Sequence, residues 1–318
     1  MDPQFKPCIL EKTLPVAEIR SSAFKDVIFK RLNQLARFAE VQTNLPFAYA
    51  QFLTAETCQE IRNPGQEWVV APLVPHATRY LLMLFVHENL PRGILIGRAR
   101  QTFLVSVHAP KGMYDGSLLD GQVATHNTFV AFDVLSIAGK NMCDEDYVTR
   151  MRSLPVFQPR DPHQVSSTLE LQSRPFWHWQ HPPAFLGDRI YILVQAAWQC
   201  GRSAKMYRLQ TRPAIDFALM CEGGSLQLAL RQESIEPSKR TLLAVITQYP
   251  ITDSLLQLTA PHDIHGQIVE FQWSHGDQHW VPHRARRDRL MPNRISSYER
   301  ALQAIRDASA TSSLLNFF

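Results

Sequence analysis

The sequence predicts an α+β protein: a larger mixed domain, then a small barrel-like all-β unit, then a closing helix. Three observations predict it. Apolar residues from Phe24 to Phe38 recur at spacings of three and four, as on one face of a helix, and short strand-like runs at hairpin spacing follow them. Beyond Arg240 only strand patterns remain until Ile295, where helical periodicity returns. The length, 318 residues, suits two domains, and 45% hydrophobic residues are enough to bury a core for each.

Taken in order, Ser21 and Ser22 can cap the first helix. Trp68 to Ala71 and Arg79 to Val86 are apolar strands separated by Pro72, Pro75 and Ala77. The run Ile94 to Arg98 is a further strand, reached through a turn at Glu88 to Gly93, and Thr102 to Val107 follows it. Asp144 to Leu154 predicts a short helix, acidic at its start and basic towards its end, as the helix dipole favours. Residues 155–183, rich in Pro, Gln, Ser and His, predict a loop with one helix. Arg189 to Trp198 and Ser225 to Leu230 are strands. The final β unit comprises Thr241 to Thr247, Gly266 to Trp273 and Trp280-Val281, the last two joined by a hairpin turn at Ser274 to Asp277. Ile295, Tyr298, Leu302 and Ile305 mark the closing helix. The expected domains are therefore 1–232, 233–293 and 294–318.

Composition bounds the function. Lys and Arg number 33 against 29 Asp and Glu, a net charge of +4 that permits a basic cleft without announcing a nucleic-acid binder. Five cysteines, scattered and forming no Cys-x-x-Cys pair, predict reduced thiols rather than a disulfide framework. The first residues show no basic stretch ahead of an apolar core, and the longest apolar run, Tyr80 to Val86, is too short to span a bilayer. An intracellular protein, cytoplasmic or nuclear and away from membranes, is expected. His275, His279 and His283 sit four apart, which on a helix makes a metal-binding face, but the surrounding alternation predicts a hairpin instead.

An ordered set of short motifs narrows this further. Leu118-Leu119-Asp120-Gly121-Gln122 is followed by Phe129-Val130-Ala131-Phe132-Asp133, and then by Asp188-Arg189-Ile190-Tyr191-Ile192. Next come Tyr207-Arg208-Leu209-Gln210 with Ile215-Asp216-Phe217, Ile268-Val269-Glu270, and Trp280 with Arg286-Arg287-Asp288-Arg289 and Pro292-Asn293. In order and spacing this set resembles the later motifs of mRNA-capping guanylyltransferases, of the covalent nucleotidyltransferase and ligase superfamily. The resemblance covers roughly residues 65 to 305. It implies a ligase-type nucleotidyltransferase domain of antiparallel sheets and helices, an OB-fold β-barrel lid, and a C-terminal helix packing back.

It also implies site residues, and one of them is missing. The family's lysine attacks the α-phosphate of GTP from a Lys-x-Asp-Gly motif, whereas this chain has Val74-Pro75-His76-Ala77 there. Val74 occupies the nucleophile position and has no nucleophilic atom; His76 and Lys111 are the substitutes the neighbourhood offers. For nucleotide or phosphate binding the resemblance implies Arg79, Arg98, Phe132, Arg208, Gln210, Arg286, Asp288 and Arg289. For a metal it implies Asp188 and Gln122, with glutamine standing where the family has a charged glutamate. Mg or Mn is the cofactor expected if nucleotide binds. GTP, capped or 5′-phosphorylated RNA, and a protein are the expected partners.

The resemblance thus leads to a degenerate guanylyltransferase-like protein, catalytically impaired, that binds nucleotide, cap or RNA 5′ end or acts through partners. Two alternatives stay open: an active guanylyltransferase with a non-standard nucleophile, and an interaction protein that inherits the fold without binding nucleotide.

Overall fold

The computed structural model describes residues 4–10, 13–36, 45, 50–63, 65–73, 77–124, 127–155, 167–181, 191–197, 206–209, 213–222, 225–232, 243–259, 264–287, 289 and 291–307. It is an α+β structure dominated by strands, in two compact units: residues 1–50 with 63–208, and residues 51–62 with 209–318.

The first unit opens with a hairpin, β1 (Phe5–Leu10) and β2 (Leu14–Ile19), then helix α1 (Ser22–Ala36). The Ser21 hydroxyl accepts the Phe24 N–H at 3.2 Å and so caps α1 as expected. β3 (Gln51–Phe52) and α2 (Ala55–Ile61) belong to the second unit. The first resumes with β4 (Trp68–Pro72), β5 (Thr78–His87), β6 (Leu90–Gly97), β7 (Thr102–Val105) and β8 (Val107–His108). A 3-10 turn (Lys111–Asp115) leads to β9 (Ser117–Ala124), β10 (Thr128–Ile137), β11 (Lys140–Asn141) and helix α3 (Tyr147–Arg152). β12 (Leu169–Ser173), β13 (Trp177–His178), β14 (Tyr191–Gln195) and β15 (Met206–Leu209) follow.

Ten of these strands form one sheet in the order β1-β2-β7-β6-β5-β9-β10-β12-β8, with β11 on β10. Of its described pairings, only β10–β12 and β12–β8 are parallel. One face buries Leu81, Met83, Phe85, Ile94 and Ile96 under Ile28, Leu32 and Leu35 of α1. On the other, Tyr80, Leu82 and Leu84 pack with Val69 and Ala71 of β4 and Ile192 and Val194 of β14, members of a second sheet ordered β13-β4-β14-β15. Covered on both sides, β5 is apolar at every position from Tyr80 to Phe85, where a one-sided strand would alternate. The turn before β6 is tighter than expected: Glu88 and Asn89 alone form it, both at positive φ (51° and 61°), as a twisted two-residue hairpin requires.

The second unit is built on β16 (Ala214–Glu222), β17 (Ser225–Arg231), β18 (Leu243–Tyr249), β19 (Ile268–Ser274) and β20 (His279–Ala285), with helices α4 (Asp253–Leu258) and α5 (Ile295–Arg306). The sheet runs β18-β17-β16-β19-β20, and each described pairing is antiparallel. The expected barrel is not closed among the described residues: β18 and β20 are the two edges of an open sheet. Leu255 of α4 and Ala301, Tyr298, Leu302 and Ile305 of α5 complete its core, which a returning strand would otherwise enclose. Phe217 is the hub, with Phe271, Trp280 and Tyr298 rings 5.5, 5.8 and 5.8 Å away. This unit takes in β16 and β17, which precede the division expected at residue 233, because β16 pairs with both β17 and β19.

Within residues 155–183 the described part holds the short strands β12 and β13, with no helix among the described residues. As the alternation predicted, the histidines at 275, 279 and 283 lie on the β19–β20 hairpin, where His279 pairs with Ser274. No described helix is long and apolar enough to cross a membrane, and Cys8, Cys58, Cys143 and Cys221 are free thiols.

Candidate functional site

The polar residues singled out in the first unit converge on the centre of its large sheet. On β5, Arg79 stands opposite Gln122 of β9, and Asp120 lies two residues along β9 on the same side. The Arg79 guanidinium clasps the Asp120 carboxylate with two hydrogen bonds, Nε donating to Oδ1 at 2.7 Å and Nη2 to Oδ2. Between Ala131 and Asp133 the register of β10 slips against β9, so Phe132 is an inserted residue. Its ring centroid lies 4.1 Å below the Arg79 guanidinium, within cation–π range.

Burial sets the electrostatics. Asp120 is 1% exposed. Desolvation pushes its carboxyl up to about 6 against the pull of Arg79, while Asp133 raises it further and Arg98 lowers it slightly. Arg98, past the end of β6, therefore senses the same cluster. Asp133 has a partner of its own: Arg150 of α3, fully buried, donates to its two oxygens at 2.7 and 3.1 Å. The Tyr147 hydroxyl donates to the Phe132 carbonyl at 2.9 Å, tying α3 to the inserted residue.

A residue that the sequence did not single out completes the cluster. Arg174 immediately follows β12, and its N–H bonds the Ala131 carbonyl at 2.9 Å, which extends the parallel pairing with β10. Its Nη2 donates to Gln122 Oε1 at 2.7 Å, and its guanidinium lies 5.0 Å from the Phe132 ring centroid. Gln122 is thereby held at both ends, since its Nε2 donates to the Ala77 carbonyl at 3.1 Å. Burial draws the Arg174 guanidinium down to about 10, which leaves it charged at neutral pH. The alternation Leu169-Glu170-Leu171-Gln172 was the available signal, a strand pattern ending just before Arg174.

Lys111 lies apart from this cluster. It is exposed in the 3-10 turn that enters β9 at Ser117, five residues or roughly 17 Å of strand from Gln122. Val74, His76, Asp188, Gln210 and Asp288 lie outside the described residues. Arg208 is on β15, with its side chain outside the description.

A metal fits poorly at the one implied ligand that is described. The Gln122 amide carries no charge, and its oxygen faces a guanidinium 2.7 Å away. A hard divalent cation favours carboxylates and would be repelled by a neighbouring cation.

In the second unit, Arg286 and Arg289 are engaged with the buried carboxylate of Asp216, and Arg286 also with the half-buried one of Glu270. Arg286 Nη1 lies 3.1 Å from Asp216 Oδ1 and 2.9 Å from Glu270 Oε2, and Arg289 Nη1 lies 2.6 Å from Asp216 Oδ2. Arg284 forks onto Glu270 at 3.2 and 3.0 Å. Asn293 accepts the Asp216 N–H at 2.7 Å and donates its own N–H to the Asp216 carbonyl. Here the arginines neutralise carboxylates inside the unit, a structural use of residues expected to meet phosphate.

Comparison with known proteins bears on the C-terminal part. Residues 204–315 match the family model described as mRNA capping enzyme, C-terminal domain. No curated protein matches the chain. A solved structure titled Pmar-Lig_Pre is similar at a TM-score of 0.31 and 10% identity, over 71% of this chain and 61% of that one. The chain spans less than two thirds of that structure's length, and so slight an overlap carries no argument.

Proposed function

We propose that this member of a capping-enzyme-like, guanylyltransferase-related family serves mRNA capping by holding a nucleotide, cap or RNA 5′ end rather than by transferring GMP. One observation carries the reading: charged and aromatic side chains at the family's motif positions gather in one cluster, in a chain whose sequence lacks the family's lysine. Arg79, Asp120, Gln122 and Phe132 gather on β5, β9 and β10, while Val74 takes the place of the family's lysine. Catalytic groups of this kind act as a unit, so losing the attacking amine removes most of the rate even where binding groups survive. In this reading the first unit is the nucleotidyltransferase-like domain and the second is the degenerate counterpart of the family's OB-fold lid. In this reading the buried Phe132 ring stacks on a purine once the ligand displaces the Arg79 guanidinium that lies over it, and Arg208 supplies a cation for phosphate.

The experiment is direct. The purified protein is incubated with GTP labelled on its α-phosphate, with magnesium or manganese, then denatured and separated. No covalent protein–GMP adduct should form, whereas GTP or a cap analogue should bind reversibly in the micromolar range. Phe132→Leu should weaken that binding by about tenfold, the value of one aromatic stacking contact. An alkali-stable, acid-labile adduct would overturn the reading in favour of an active guanylyltransferase. Absence of both adduct and reversible binding would leave an interaction protein.

A further inference from the structure

We propose that Arg174 is the resident cation of the Arg79–Gln122 cluster, and that a phosphate group of the ligand binds its guanidinium directly, with no divalent metal between them. The inference rests on the reading that this cluster binds a nucleotide or an RNA 5′ end. It assigns Arg174 a role that none of the motifs recognised in the sequence foreshadows.

Charge matching singles out Arg174. Asp120 is taken by both donors of Arg79, and Asp133 by both donors of Arg150. The Arg174 guanidinium contacts the neutral amide of Gln122 and the Phe132 ring and forms no ion pair with a carboxylate among the described residues; the charge of Asp120, already paired with Arg79, reaches it only at longer range. The side chain is 1% exposed, yet its Nε and Nη1 are buried without any hydrogen-bond acceptor. An unmatched buried donor carries the full cost of its lost hydration, a larger cost when the group is charged. A site that carries this cost when empty recovers it when an anion arrives. Phosphate suits the geometry because its several oxygens around one centre can serve two nitrogens of one guanidinium.

Gln122 explains how the charge stays available. Its amide oxygen orients Arg174 at 2.7 Å, and its Nε2 is anchored on the Ala77 carbonyl, so the guanidinium is held without being neutralised. A glutamate at this position would form an ion pair and cancel the charge that the ligand needs. The same glutamine that fits a divalent metal poorly therefore fits an arginine well.

Calorimetric titration of the full-length protein with inorganic tripolyphosphate and with GTP, first in EDTA and then in magnesium, tests the proposal. Both ligands should bind in EDTA, with magnesium changing either affinity by no more than about threefold. Gln122→Glu, which keeps the size of the side chain, should weaken tripolyphosphate by about tenfold or more, as loss of a charge-assisted contact does. Arg174→Gln should do the same, and thermal melting reports whether each variant folds; the EDTA and magnesium arms of the wild type decide the metal question regardless. GTP bound only with magnesium would sink the inference and leave the nucleotide-binding function standing. Tripolyphosphate bound in EDTA while GTP and cap analogue fail would do the reverse. Affinities unmoved in a folded Gln122→Glu variant, or no binding of any ligand, would also overturn the proposal.

Discussion

At the scale of single residues, charge pairing decides which cations are available. Arg286 and Arg289 close on Asp216, while Arg79 closes on Asp120. The Asp120 pair has a consequence for pH. Its carboxyl, ordinarily near 3.8, is pushed up to about 6 by burial, so the folded protein holds that proton more tightly than the unfolded chain does. The stability this residue contributes is therefore present in full below about pH 4 and is lost as pH rises through about 6. Melting temperatures of the wild type and of Asp120→Asn, compared from pH 4 to pH 7, should reveal it. The wild type is expected to lose stability relative to the variant over that interval, and a constant difference would contradict the assigned shift.

Pairing geometry governs the elements. Gly121 is the middle residue of the Asp120-Gly121-Gln122 motif, and the β9–β10 contact explains why no side chain fits there. A methyl group at Gly121 would lie 2.5 Å from the Val130 carbonyl oxygen and 2.6 Å from the Phe129 ring. Gly121→Ala must then separate β9 from β10 or shift Phe129, which is fully buried, at a cost of about 1–3 kcal/mol. Urea denaturation should show a lower midpoint, and an unchanged one would mean that the strands part without cost. Because Phe132 lies two residues beyond Val130 on β10, the same variant should also weaken ligand binding. Edge position accounts for another element. β1 tolerates Pro7 because it ends the sheet and pairs on one side only. For the same reason the sequence, with prolines at 7 and 15 and weak alternation, did not announce the β1–β2 hairpin.

Across the whole molecule, the two compact units do not follow chain order. Residues 51–62 belong with 209–318, although more than 140 residues, from 63 to 208, separate the two segments. Phe52 packs against the core of Phe217, Phe271 and Trp280, and the Ala55 N–H donates to Asp307 Oδ2 at 3.0 Å, just past α5. Phe52→Ala should accordingly destabilise the second unit by about 1–3 kcal/mol. Near-ultraviolet circular dichroism during urea titration is the measurement, since Trp273 and Trp280 report on that core. Loss of stability confined to other signals would place Phe52 elsewhere.

Much of this was legible in the sequence. Helices α1, α3 and α5 and most of the central strands follow from period and capping, because those signals are local. The ordered motifs pointed to a likeness to capping enzymes, which the family-model match over residues 204–315 supports for the C-terminal part, and the absence of lysine at Val74 needs no structure to be seen. What the sequence could not show depends on which side chains meet across long separations. Only the tertiary structure brings Arg174 to Gln122, 52 positions apart, and commits Arg286 and Arg289 to Asp216. Only it leaves the sheet of the second unit open among the described residues, with α5 closing the core. A residue type states that a charge exists; packing decides whether a carboxylate, a neutral amide or a ligand will answer it.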